Sequence, residues 1–163
     1  MSILKVDTIN EKTSGNGVII PGHVVQVAQY SDSTVYSNST TSVAQAIQTG
    51  TFTLKSSSNK VLVTLNCLTR SIKNSNAGTR IALYRGAVAD ASSVRITSGS
   101  EPQNYAADPG SEIYDISYLQ ALDTPNAASV TYSLGFWRHQ SGSSSDIRGD
   151  HFQTTIILQE IAV

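Results

Sequence analysis

Residues 60–69, KVLVTLNCLT, decide the fold. Apolar side chains stand at Val61, Val63, Leu65 and Cys67, and a second, largely apolar set, Leu62, Thr64, Asn66 and Leu68, fills the alternate positions. A spacing of two is the period of a β-strand, whose successive side chains point to opposite faces. A run apolar in both sets predicts a central strand covered on both faces. Cys67 lies inside this run and is the only cysteine. No intrachain disulfide or multi-cysteine metal site is therefore available, and a buried, inert thiol is expected.

The same period recurs along the chain. Ile81 and Leu83 alternate with Ala82 and Tyr84; Val130, Tyr132, Leu134 and Phe136 alternate with Thr131, Ser133, Gly135 and Trp137. Near the C-terminus Phe152, Thr154, Ile156 and Leu158 oppose Gln153, Thr155, Ile157 and Gln159, which predicts a centrally placed closing strand. Further strands are expected at His23 to Tyr30, Thr51 to Leu54, Ser93 to Thr97 and Ile116 to Leu122, between clusters rich in Gly, Ser, Asn and Asp that favour turns. Ser42 to Gln48 reads either as a short helical turn or as irregular chain. The expectation is an all-β, antiparallel β-sandwich, jelly-roll-like, of about eight strands.

Composition bounds the partners. The 163 residues are 39% apolar and only 14% charged, against a usual charged share of about a quarter. Ser, Thr, Asn and Gln supply the polarity instead. A net charge of −1 gives no broad basic footprint for nucleic acid or for an anionic membrane, and no apolar run reaches the roughly 20 residues of a membrane span. Neither partner is expected. The opening MSILKVDTIN lacks the apolar core of a signal peptide, so synthesis in a cytoplasm is expected.

Catalytic templates are missing from the sequence. It holds no Gly-x-Ser-x-Gly elbow, no phosphate-cradling Gly-rich loop followed by Lys, and no His-Glu-x-x-His helix. The reading is of a protein that is no enzyme and needs no cofactor. His139 and His151 bracket one expected loop and read as solvated histidines rather than as a metal pair. Asp108, Glu112 and Asp115 are the weak candidates for a cation, because closely spaced carboxylates on a loop can hold calcium; their spacing matches no defined loop geometry, and a solvated acidic loop is the plainer reading. Arg148, Gly149 and Asp150 spell a tripeptide known from integrin ligands, but a glycine between two charges is common at a hairpin. Asn38, Ser39 and Thr40 match the glycosylation pattern, which carries little weight without a secretory signal.

The long connections are the better functional clue. Residues 98–115 and 139–150 carry Tyr105, Tyr114, Arg148 and His151 at or beside them, and loops longer than about 12 residues are often functional. Tyr and Arg anchor protein and sugar contacts because they offer area and hydrogen bonds at low entropic cost. Trp137 follows Phe136 on a strand, so it points to the opposite face and reads as a subunit contact. Tyr105, Tyr114, Trp137 and Arg148 are the candidate receptor or partner contacts.

Residues 1–21 read as a separate arm preceding a sandwich domain at 22–163. Ile3 to Ile9 is an expected strand, Asn16 and Gly17 a turn, and Val18 to Ile20 a second strand closed by Pro21 and Gly22. An isolated hairpin is marginal in water and must pack on something. Leu4, Val6, Ile9, Val18 and Ile20 are its assembly or attachment candidates.

The string SILKVDTINEKTSGNGVIIPG, residues 2–22, resembles the opening module of structural proteins of tailed bacteriophages, especially fibre-like proteins of cyanophages. In that module a Leu-x-Val-Asp-x-Ile strand precedes a Gly-x-Gly-Val turn; the matching positions are Leu4, Val6, Asp7, Ile9, Gly15, Gly17 and Val18. The rest of the chain is diffusely similar to the compact β-sandwich heads of phage fibres, some of which look like trimeric tumour-necrosis-factor-type jelly rolls. The shaft of long fibres is missing. The resemblance implies a virion protein, a homotrimer whose arm tethers it to other virion proteins while the sandwich faces outward, as a short tail fibre touching a host surface glycan. The shortness of the chain favours a capsid decoration protein instead. A carbohydrate-binding module is a further reading. A glycan hydrolase would need two carboxylates about 5 to 9.5 Å apart, for which Glu101, Asp108, Glu112 and Asp115 are the clustered acids.

Overall fold

The alternation in residues 60–69 is realised in a strand that runs on to residue 72, and the rest of the molecule is arranged around it. The computed structural model describes residues 20–72, 77–97, 104–106, 110, 112–140 and 144–163, and every helix or strand element among them is a β-strand. The long-strand sheet contains β1 (Val24–Asp32), β2 (Val35–Asn38), β5 (Lys60–Ile72), β9 (Glu112–Asp123), β12 (Ser144–Arg148) and β13 (Thr154–Ile161). The facing sheet contains β3 (Ala44–Gln48), β6 (Ala77–Arg85), β7 (Val94–Arg95), β8 (Asn104–Ala106) and β11 (Tyr132–Arg138). A two-strand ladder joins β4 (Phe52–Thr53) to β10 (Ser129–Val130).

All pairings are antiparallel. The large sheet runs β1-β13-β5-β9, and the facing sheet runs β3-β11-β6-β7. Numbered by chain order among these eight strands, the two sheets read 1-8-3-6 and 2-7-4-5, the double Greek key of a jelly roll. β9 pairs β5 along its whole length on one edge, while β13 takes residues 60–66 and β12 residues 69–72 of the other edge. The closing strand β13 is central, as its sequence predicts.

Burial follows the period of two. Val61, Val63, Leu65 and Cys67 are fully buried, and Leu65 lies opposite Ile156 and Val63 opposite Leu158. From the facing sheet Leu134 opposes Leu83 and Phe136 opposes Ile81. These two inner faces form one core, each large side chain contributing about 1.5–3 kcal/mol of hydrophobic burial. Burial pushes the Cys67 thiol up to about 12, so it stays protonated at neutral pH and is no nucleophile.

Three expectations are corrected. Among the described residues β5 is covered on one face alone: Leu62, Thr64, Asn66 and Leu68 point outward and are only half-buried. Ser42 to Gln48 is neither helical nor irregular, because Ala44–Gln48 pairs with β11 across a register shift and sends Ala46 and Ile47 into the core. The long connections expected at 98–115 and 139–150 contain strands. β9 begins at Glu112, β8 spans residues 104–106, and β12 spans 144–148 as a bridge between β5 and the unanticipated short strand β2. Ser-Ser-Asp-Ile-Arg shows no apolar alternation; Asp146 is instead buried against Arg70.

The glycosylation pattern at Asn38 is structural. Asn38 is buried, and its Nδ2 donates to Ser42 O at 2.9 Å and Phe136 O at 3.1 Å. That amide holds the start of β3 against β11 and is closed to modification in the folded chain.

Candidate surface contact site

One row across the large sheet gathers the chemistry. At the C-terminal end of β5, Arg70 lies opposite Tyr114 on β9 and opposite Asp146 on β12. Side chains two apart on a strand share a face, so Arg148 joins Asp146 on the outer side. Arg70 Nε donates to Asp146 Oδ2 at 2.7 Å, with Nη2 bonded to the same oxygen, and Nη1 lies 3.6 Å from Glu112 Oε1. Asp146 is almost fully buried, so this pair is the strut of the row.

Arg148 grips Asp150 with a two-bond fork, Nε to Oδ1 at 2.9 Å and Nη2 to Oδ2 at 2.8 Å. Those bonds hold the Asp150 carboxyl down to about 2 and raise Arg148 above its usual range. His151 Nε2 lies 3.5 Å from Asp150 Oδ2. Over both guanidinium groups sits Tyr114, its ring centre 6.0 Å from each Cζ and 6.2 Å from the His151 ring. Its hydroxyl donates to Glu112 Oε2 at 3.0 Å. The residue remains 45% exposed.

Two guanidinium groups thus face three carboxyls, those of Glu112, Asp146 and Asp150. The balance is not cationic, so the row suits no phosphate or sulfate. It offers an aromatic face, N–H donors left over on Arg148, and carboxyl acceptors around it. That combination fits a neutral polyhydroxyl ligand: the C–H face of a pyranose stacks on the negative face of the ring while its hydroxyls meet the fork.

The row also has a definite place. The described chain enters at Ile20, whose carbonyl accepts from His23 N–H at 3.0 Å, and Gly22 N–H donates to Ala162 O at 2.8 Å, just beyond the C-terminal end of β13. There Ile161 opposes Lys60. Arg70 lies ten residues farther along β5, roughly 33 Å away at about 3.3 Å per residue.

Of the sequence candidates, Tyr114 and Arg148 meet in this row. Glu112 belongs to it as the partner of Tyr114 and Arg70, not as a loop ligand. Asp115 is an odd number of positions from Glu112 along β9 and so points to the other face, which separates the two as cation ligands. Asp108 lies outside the described residues, as do Leu4, Val6, Ile9 and Val18. Ile20 is exposed at the chain entry. Tyr105 is in β8 opposite Gly78, in the facing sheet. Trp137 does oppose the buried Phe136 and is half-buried beneath the Arg95 guanidinium, 5.4 Å from its ring centre. Among the described residues no three His, Cys, Asp or Glu side chains gather as a metal site. Arg70 and Asp146 were not anticipated; the signal was a charge placed on the outward parity of a long strand.

Gly149 has a structural reason. A Cβ there would meet Thr34 O at 2.6 Å, Ser33 C at 2.7 Å and Asp32 O at 2.9 Å, all backbone of the β1–β2 turn. Gly149→Ala is therefore expected to cost about 1–3 kcal/mol, read from urea denaturation, because the turn cannot yield as a side chain would. A variant as stable as the parent would show that the turn gives way.

Neither a protein-family model nor a curated protein matches the sequence.

Proposed function

We propose that the chain is a bacteriophage virion structural protein, a short tail fibre that holds to the particle through residues 1–21 and meets the host surface through its sandwich. The contact would be made at the Tyr114 row, with a surface glycan as ligand. The single observation that carries this reading is position: the aromatic and guanidinium row lies at the end of the large sheet opposite the point where the chain enters from its arm. A fibre head needs that separation between tether and tip. The resemblance of residues 2–22 to the phage opening module supports the tether. A second reading, capsid decoration, is favoured by the three uncharged rows of the outer face of the large sheet (Leu122–Leu62–Gln159–Val27, Gln120–Thr64–Ile157–Gln29 and Tyr118–Asn66–Thr155–Ser31), since a cement protein uses broad contacts.

The test is binding of the purified full chain to an array of bacterial surface polysaccharides. Tyr114→Ala, at an exposed position, should leave the circular dichroism spectrum unchanged and weaken binding at least about 10-fold, equivalent to about 1.4 kcal/mol. A parent that binds no polysaccharide, or a variant that binds as well as the parent, contradicts the host-contact reading.

A further inference from the structure

Arg85 ends β6 on the inward parity of the buried Ile81 and Leu83, at the open end of the core. Beside it lies a cleft of about 360 Å³, whose lining includes Arg85, Val94, Pro125, Ala127, Ser129 and Thr131. That volume is at the lower end of the roughly 300–1,000 Å³ of small-molecule sites. The cleft belongs to the entry end of the sandwich, since Asp123, the ion partner of Arg85, lies opposite Val61, next to Lys60. It is separate from the Tyr114 row and stands whether or not that row meets a glycan.

Both walls are fixed by local bonds. On one, Gly86 takes a φ of 85°, which suits glycine, and its N–H donates to Thr131 O at 2.8 Å. The loop that follows closes on itself: Asp90 N–H donates to Ala87 O at 2.9 Å and Ser93 N–H to Asp90 O at 3.0 Å. Asp90 Oδ1 accepts from Ser92 N–H at 2.9 Å and from Ser92 Oγ at 2.8 Å, so this acid is turned to its own loop and does not line the cleft. On the other wall Pro125 is buried, and Leu54 N–H donates to Ala128 O at 2.9 Å. Walls set in advance spare a ligand the cost of ordering them.

We infer that this cleft binds a small monocarboxylate with a compact apolar body. The donors select the anion. Arg85 is the single ionisable side chain of the lining. Its Nη1 donates to Thr124 O at 3.3 Å and its Nε lies 3.6 Å from Asp123 Oδ2, while Nη2 meets no acceptor among the described residues. Asp123 is buried, and its hydrogen bond comes from the Tyr132 hydroxyl, at 2.9 Å. Thr131 Oγ1 accepts from Gln48 Nε2 at 3.4 Å, which leaves its own hydrogen to donate. A lining with one guanidinium and spare hydroxyl hydrogens calls for a ligand that only accepts, and the planar fork of Arg matches a carboxylate. Asp123 already offsets part of the Arg85 charge, so a monoanion fits better than a phosphate group with its charge of about −2. The apolar body rests on Val94, Pro125 and Ala127.

The experiment is a titration of the full chain with N-acetylvaline, followed by the amide NMR signals of Gly86, Ser92 and Ser129. Those signals should shift saturably at millimolar concentration, the range expected of so small a probe. N-acetylvalinamide, the same body without the charge, and methyl phosphate should each bind at least about 10-fold more weakly. Arg85→Gln should lose the acid, but it also takes the cation from the buried Asp123. Val94→Glu is therefore the deciding variant: Val94 is 44% exposed and lies opposite Arg85, so the new carboxyl occupies the fork from within the chain. It should keep the parent's circular dichroism and abolish the saturable shift. Acetyl-Ala-Ala-Val with a free carboxyl separates two sources of the same chemistry. Binding at least about 10-fold tighter than N-acetylvaline assigns the site to a polypeptide C-terminus, and binding no tighter assigns it to a free acid. A parent that shows no saturable shift with N-acetylvaline overturns the inference. So does an amide or a methyl phosphate that binds as well as the acid, or a Val94→Glu variant that binds as the parent does.

Discussion

Glu160→Ala is expected to lower the stability of the sandwich by about 3–5 kcal/mol, since a buried donor left without its acceptor costs about 1–3 kcal/mol. Glu160 is 0% exposed, on the inward parity of β13 in line with Ile156 and Leu158. Its Oε1 accepts from Lys55 N–H at 2.8 Å and from Asn59 Nδ2 at 2.6 Å; its Oε2 accepts from Gln26 Nε2. One carboxyl thereby fastens the turn before β5 and the start of β1 to the closing strand. Removing it strands the Asn59 amide in the interior, where Asn59 is itself almost fully buried. Glu160→Gln should be intermediate, because one acceptor is kept while the new amide turns a donor toward donors. Denaturant midpoints for the two variants check this; a loss below about 1 kcal/mol for the alanine variant would mean that water replaces the carboxyl without cost.

The second large effect is Phe136→Ala, expected at about 3–5 kcal/mol from lost burial plus the cavity left behind. Phe136 is among the largest fully buried side chains and packs in the single core between the sheets. Its neighbour supplies the internal control. Trp137→Ala removes a larger ring from the outer face, where it is already half in solvent, and should cost about 1–2 kcal/mol. Urea unfolding with an unchanged slope would report both losses as changes in the native contacts. Equal losses at the two positions would contradict the inward and outward assignment of β11.

That assignment could be read from the sequence because β11, β5 and β13 carry their period in apolar residues. The strands that escaped notice carry it in other ways. β12 is Ser-Ser-Asp-Ile-Arg, and its inward set includes Ser145, which donates to Gly78 O, while its outward Asp146 is buried by an ion pair. β3 is short, with glutamines between its alanines; Gln45 Oε1 accepts from Val88 N–H at 2.9 Å, a long-range contact that no local period announces. The covering of β5 was overread for a related reason. Leu62 and Leu68 make its outward set look buried in the sequence, and in the single chain that set faces solvent.

The contact row was half legible. Tyr114 and Arg148 are candidates by residue type alone, but their meeting depends on β12 lying beside the far end of β5, which follows from the pairing of residues 69–72 with 144–147. Arg70 and Asp146, the strut beneath them, read in sequence as an interruption of a strand and as part of a loop. The same pairing gives the row its geometry and hid it from a reading by segments.

The proposed fibre implies a homotrimer, and that implication is open to one direct measurement: the thermal unfolding midpoint of the full chain over a hundredfold range of protein concentration. If folding and association are linked, mass action stabilises the assembled state, and the midpoint rises with concentration. That rise is the expected result. A midpoint independent of concentration, with a reversible transition, would contradict that implication and describe a sandwich that is stable with its uncharged face in water.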